Sequence, residues 1–286
     1  MSLNNLIKNW TNFRTKRPYE DLYKDADYKW AMVIDLDSCI GCNACSTACY
    51  AENNLPVVGK ELFGKSHQMH WMRIERYWGE GAEMKADYPE QGAAFLPMLC
   101  QQCEAAPCEP VCPVGATHHT PDGLNSQQYH RCIGSRYCSA NCPYKVRYFN
   151  WWNYPDRAWP NPLELQLNPD VTVRSKGVME KCTFCVQRLR YGMDKAKDEN
   201  RILADGEVIT ACAQACPTSA ISFGNLADKQ SKVASVWKNQ KVDLAKDKQD
   251  KEKNKADEGL RGYRIYEDLR TYPSIVYLER VRNLEA

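Results

Sequence analysis

Apolar residues fall in short bursts along this chain, and the bursts are arranged around cysteines. The runs MVIDLDSC, ending at Cys39, and GVMEKC, ending at Cys182, have strand length and strand-forming residues, so each predicts a strand feeding a cysteine-bearing loop. VGATHH (114–119) and TSAISFG (218–224) follow two Cys-Pro pairs and predict return strands of the same small units. HWMRIERYW (70–78) alternates as a strand does, whereas GEGAEMKADYPEQGAA (79–94) reads as loop. The stretch from Tyr50 to Leu99 that contains both reads as an insertion. VQRLRYGMDKAKDENRIL (186–203) predicts a short helix. Between 227 and 260, Lys and Asp dominate with little to bury, which predicts a solvated helix or loop. GYRIYEDLRTYPSIVYLERVRN (262–283) regains apolar content and is expected to pack on the body or on a partner.

The cysteines form four groups. Cys39, Cys42, Cys45 and Cys49 are spaced C-x2-C-x2-C-x3-C, and Cys100, Cys103, Cys108 and Cys112 are spaced C-x2-C-x4-C-x3-C before Pro113. Cys132, Cys138 and Cys142 repeat the first spacing before Pro143, with Ser135 where the second cysteine would stand. The last group is Cys182 and Cys185, then Cys212 and Cys216 before Pro217. Four full groups would need one cysteine more than the fifteen present, and Ser135 marks the missing one.

Tight triplets followed by a Cys-Pro suit iron–sulfur clusters: three thiolates on one loop reach three irons, and the last cysteine of a motif ligates the partner motif's cluster. Zinc ribbons use two separated pairs per ion and have no need of triplets. Disulfides between cysteines three apart bridge poorly, and an odd count is against full pairing. Covalent haem needs C-x-x-C-H, which is absent. His67, His70, His118, His119 and His130 are not spaced as ligand sets and read as ordinary polar residues. Lys145 and Arg147 read as basic surface residues, with electrostatic tuning of a nearby cluster as the other reading. Tyr148, Phe149, Trp151, Trp152, Tyr154 and Trp159 read either as core or as a docking face. Hydroxyl oxygen is a poor ligand for iron in a thiolate site, so the group with Ser135 is expected to hold [3Fe–4S], the alternative being a Ser-ligated or water-ligated [4Fe–4S].

Lys+Arg 38 against Asp+Glu 36 leaves little net charge, which argues against nucleic acid as a partner. No window approaches the ~18 apolar residues of a membrane helix. The first thirty residues lack an apolar h-region and a twin arginine, so no signal peptide is read there. No activated nucleophile, paired-carboxylate motif or phosphate-cradling glycine loop is evident, and any substrate chemistry is assigned to partners.

CQQCEAAPCEPVCPVGATHHTPDGLN (100–125), CPYKVRYFNWWNY (142–154) and LQLNPDVTVRSKGVMEKCTFCVQRLR (165–190) resemble the four-cluster, ferredoxin-like iron–sulfur subunits of the molybdopterin oxidoreductase superfamily. They are most similar to the iron–sulfur part of alternative complex III and to the separate iron–sulfur subunit of the quinone reductase complex of sulfate reducers. The resemblance implies an α+β fold of two tandem, pseudo-symmetric bacterial-ferredoxin-like modules with loop insertions and little regular secondary structure. An extension (1–28) would precede a four-cluster region (29–226), with one module from 29–56 plus 170–226 and the other from 95–150. A charged linker and partner-docking tail (227–286) would follow.

The family pairs the first motif with the fourth and the second with the third. Carried over, cluster 1 takes Cys39, Cys42, Cys45 and Cys216, and cluster 2 takes Cys182, Cys185, Cys212 and Cys49. Cluster 3 takes Cys100, Cys103, Cys108 and Cys142, and cluster 4 takes Cys132, Cys138 and Cys112. The implied cofactors are three [4Fe–4S] clusters and one [3Fe–4S], since the quinone-linked branch also lacks the cysteine at Ser135. The implied role is a non-catalytic electron relay between a molybdopterin-like subunit and an integral-membrane quinone-binding subunit, with a multihaem cytochrome c as a further partner. A molybdoenzyme of the polysulfide or dimethyl sulfoxide type is the alternative setting. The implied location is peripheral on the cytoplasmic membrane, on the periplasmic side by co-export with a twin-arginine partner, or else on the cytoplasmic side.

Overall fold

A computed structural model describes residues 23, 25–78, 93–152, 162–240 and 260–280. In chain order the strands are β1 (Trp30–Asp35), β2 (Met72–Trp78), β3 (Ala93–Leu99), β4 (Thr117–His119) and β5 (Asn125–Gln127). They continue as β6 (Tyr148–Phe149), β7 (Met179–Glu180), β8 (Ile221–Asn225), β9 (Gly262–Tyr263) and β10 (Ile275–Leu278). The helices are α1 (Ala44–Glu52), α2 (Gly59–Gly64), α3 (Tyr137–Ala140), α4 (Val186–Asp198), α5 (Ala211–Gln214) and α6 (Lys232–Asn239). Helix and strand are thus mixed, and the sheets are small.

Among the described residues the largest sheet has the order β8-β1-β10-β9. Strand β1 lies antiparallel to β8, with Met32 opposite Phe223, and parallel to β10, with Met32 opposite Ile275. Period-two alternation splits β1 between two cores. Trp30, Met32 and Ile34 face the main core, which also holds most of the cysteines. Ala31 and Val33 face a smaller cluster with Val233, Trp237 and Val276. Strands β2 and β3 pair from Met72–Leu99 to Trp78–Ala93, and Pro97 is tolerated because each strand has a single partner. Strand β4 pairs with β5, and β6 with β7.

Several sequence expectations change here. The loop reading of 79–94 runs two residues too far, because β3 starts at Ala93, and the rest of that loop lies outside the described residues. Helix α4 stops at Asp198 rather than running to Leu203. The charged segment after 227 has something to bury after all. Helix α6 is capped by Ser231, whose hydroxyl accepts from the Ala234 N–H at 3.1 Å, and it seats Val233 and Trp237 on β1. The C-terminal stretch is no free docking tail through 278, since β10 is a buried inner strand of the sheet.

Candidate functional site

The ligand loops are shaped by residues in the left-handed region. Between Cys39 and Cys45, Gly41 and Asn43 have φ of 69° and 66°, after which α1 begins at Ala44. Between Cys132 and Cys138, Gly134 and Arg136 have φ of 69° and 62°, after which α3 begins at Tyr137. The two loops share one backbone path, and Ser135 stands in the second where Cys42 stands in the first. Glycine is required at both leading positions. A Cβ on Gly41 would enter the Phe95 ring, and one on Gly134 would strike the Gly177 carbonyl. The Cys-Pro turns match as well. Ala116 N–H donates to Cys112 Sγ at 3.1 Å, and Ala220 N–H donates to Cys216 Sγ at 3.3 Å. The residues before these alanines, Gly115 and Ser219, have φ of 59° and 54°.

All fifteen cysteines are unbridged, and ten are buried. Three sets of four line separate hollows. Cys39, Cys42 and Cys45 meet Cys216 around one. Cys49 meets Cys182, Cys185 and Cys212 around the second, and Cys100, Cys103 and Cys108 meet Cys142 around the third. Motif one thus joins motif four in space. Cys132 Sγ accepts from the Met179 N–H at 3.3 Å, Cys112 sits in its Cys-Pro turn, and Cys138 is buried next to Arg147. These contacts do not by themselves join Cys112, Cys132 and Cys138 into one set.

Burial makes the inner thiols hard to ionise. It pushes Cys45 and Cys212 up to about 11 and Cys108 and Cys185 up to about 12. Burial also opposes ionisation at Cys112 and Cys216. There, however, hydrogen bonds outweigh it and hold both thiols below the ordinary range: backbone N–H groups including Val114 and Ala116 at Cys112, and the Thr218 side chain and Ala220 N–H at Cys216. Clustered thiolates in such an interior need cations among them, which bound metal supplies. The arrangement suits a cluster better than one ion. Among the described residues no three Cys, His, Asp or Glu side chains converge closely enough to hold a single metal, whereas the sulfurs do surround hollows.

The sets are neighbours in a definite order. After burial and the opposing Thr210 hydroxyl, the charge of Cys45 in the first set is the next influence on Cys212 in the second. Cys100 in the third set acts likewise on Cys182 in the second. Gln102, in the left-handed region at φ 47°, donates from Nε2 to the Cys182 carbonyl at 2.9 Å and so spans the second and third loops. Arg147 Nη1 donates to Cys108 Sγ at 3.1 Å.

Arg147 corrects the sequence reading, because it is buried rather than on the surface. Gln102 was missed altogether, though its place between two ligand cysteines was the available signal. Three of the histidines have partners within the fold: His70 meets the Tyr50 hydroxyl at 2.7 Å, His119 meets Glu109 at 2.5 Å, and His67 stacks on Trp151 at 4.5 Å. Of the aromatic run, Tyr148 is buried, Phe149, Trp151 and Trp152 are half-buried, and Tyr154 and Trp159 lie outside the described residues.

The 4Fe-4S dicluster domain matches twice, over residues 38–116 and 92–155. The iron–sulfur cluster-binding subunit of menaquinone reductase from Nitratidesulfovibrio vulgaris is 39% identical over 262 residues, covering 90% of this chain and 91% of that one. The Hdr-like menaquinol oxidoreductase iron–sulfur subunit 1 from Archaeoglobus fulgidus is 35% identical over 227 residues, 73% of this chain and 75% of its own. The B subunit of polysulfide reductase from Wolinella succinogenes is 32% identical over 208 residues, 73% of this chain and 82% of its own. With cysteine sets in the hollows and identity running over most of each chain, this protein belongs to the family of iron–sulfur cluster-binding electron-transfer subunits that these three represent, and it carries two 4Fe-4S dicluster domains.

Proposed function

We propose that the chain relays electrons through three [4Fe–4S] clusters and one [3Fe–4S] cluster, between a molybdopterin-like partner and the quinone site of a membrane subunit. The observation that carries this is the gradient of exposure along the four sets. Every cysteine of the second and third sets is buried. At one end Cys42 is exposed beside Ile40, 59% exposed, and at the other Cys112 and Cys132 are half-buried beside Ile133, 67% exposed. Two shielded members between two that reach the surface is the arrangement a relay needs.

In this proposal cluster 1 is held by Cys39, Cys42, Cys45 and Cys216, cluster 2 by Cys49, Cys182, Cys185 and Cys212, and cluster 3 by Cys100, Cys103, Cys108 and Cys142. Cluster 4 is held by Cys112, Cys132 and Cys138, with Ser135 giving no thiolate. The modules are 29–56 with 170–226, and 95–150. When bound, the clusters supply one-electron exchange, at potentials set by charge, hydrogen bonds to sulfur and exposure. The protein's own part is to fix the sulfurs, exclude water from the inner sets and present two ends to partners. Around the fourth set, Ile133 and Tyr137 are exposed, and Arg136 lies over the rings of Phe149 and Trp151 at 5.2 and 5.1 Å. This apolar and aromatic composition favours it as the face for the membrane partner.

No described helix is long and apolar enough to cross a membrane, so such docking would use a face of this kind. The proposal sets the subunit on the periplasmic side, exported with a twin-arginine partner, with the cytoplasmic side as the alternative. Similarity to the polysulfide reductase subunit supports a second setting, in a molybdoenzyme acting on a soluble substrate.

Low-temperature electron paramagnetic resonance of the air-oxidised complex, with iron quantitation, tests the cluster inventory. A near-isotropic signal at g ~2 with about fifteen irons per chain supports it. An oxidised state without that signal and with about sixteen irons sinks the three-iron assignment.

A further inference from the structure

Arg147 is 3% exposed, and its side-chain hydrogen bonds run to Cys108 and to neutral groups. Nη1 donates to Cys108 Sγ at 3.1 Å and to Asn125 Oδ1 at 3.2 Å, while Nη2 donates to Thr117 Oγ1 at 2.8 Å and to Gln127 Oε1. Its Nε is buried without a partner among the described residues. The backbone of Arg147 is tied to the helix that carries Cys138, because the Ser139 hydroxyl donates to the Arg147 carbonyl at 2.8 Å.

Three other buried or part-buried cations here have acids, whereas Lys181 has none among the described residues. Arg174 pairs with Glu180 at 3.0 Å, Arg188 with Glu52 at 2.6 Å, and Lys29 with Glu104. Among the described residues Arg147 has no such ion pair, and a buried cation without a counter-charge is costly. The groups whose charge favours the guanidinium are the sulfurs of Cys108, Cys138 and Cys100, and it is in hydrogen-bond contact with Cys108 and Cys138. The counter-charge it lacks among the carboxylates is therefore on sulfur, and on sulfur of two sets.

We infer that Arg147 is a positioning residue shared by clusters 3 and 4, a buried guanidinium that raises the reduction potentials of both. The inference rests on the proposed assignment of those two clusters. A thiolate-ligated cluster gains negative charge on reduction, so a fixed cation and donors to its sulfur favour the reduced form. One cation near both sets would move the two potentials together and leave the step between them little changed. Lys181, also buried, adds to the field at Cys108 but makes its own hydrogen bond to the Cys182 carbonyl at 3.1 Å.

Two variants test it in the intact complex, by potentiometric titration followed by electron paramagnetic resonance. Arg147→Gln removes the charge. Gln127→Glu keeps the guanidinium and the acceptor oxygen, and sets a carboxylate against Nη2. In both, two of the four midpoints are expected to fall, the g ~2 cluster among them, with at least a tenfold change in the reduced-to-oxidised ratio at fixed poise, about 59 mV for one electron. The other two stay in place and iron content is unchanged. Iron-replete variants with no midpoint moved, or with all four moved equally, overturn the inference. If Arg147→Gln loses iron, Gln127→Glu decides alone by the same criterion. Failure of the cluster assignment is distinguishable, because it shows in the wild-type iron count and spectrum before any variant is compared.

Discussion

Ser135 and Cys42 stand at the same point of two loops with the same left-handed residues before and after them. A thiol placed at 135 therefore needs no change of backbone to face a cluster. Ser135→Cys is expected to convert the fourth site to [4Fe–4S]: the oxidised g ~2 signal disappears and iron rises by about one per chain. Persistence of the signal at full intensity would show that the loop, not the missing sulfur, excludes the fourth iron. Ligand spacing was legible in the sequence because a loop that wraps a cluster is local, fixed over a few residues. Arg147 was not, because its burial depends on Thr117 and Gln127 from a separate hairpin.

Elements show the same division between local and distant causes. The runs before Cys39 and Cys182, and after Cys216, announced β1, β7 and β8, because a strand's apolar content is written within it. That β10 would enter beside β1 was not readable, since the choice of strand partner lies far along the sequence. Tyr277 secures that insertion. Its hydroxyl accepts from Gln101 Nε2 at 3.1 Å and donates to the Pro97 carbonyl at 3.0 Å, with no exposure. Tyr277→Phe should cost about 1–2 kcal/mol and lower the denaturant midpoint for loss of cluster absorbance. The ligand loops offer a sharper test. Gly134→Ala meets both an unfavourable φ and the Gly177 carbonyl, whereas Gly59→Ala, at φ 77°, has open space. Heating should bleach Gly134→Ala well before the wild type, by a loss of about 1–3 kcal/mol or more, with Gly59→Ala in between.

At the scale of the molecule, cysteines stand where a larger apolar core would otherwise be. The main buried cluster includes cysteines from all four groups, and their thiols resist ionisation without cations. Metal-binding free energy is then also folding free energy. Iron-free protein is expected to show amide exchange without native-like protection, and strong protection in β1 and β10 of such a sample would count against that. The place of β10 also sets a timetable for synthesis. Strand β1 leaves the ribosome early but stays open on one side until Ile275 to Leu278 follow. At roughly 5–20 residues per second that is about 10–50 s later. By then every cysteine has been translated, so all four ligand groups are present before the sheet can close.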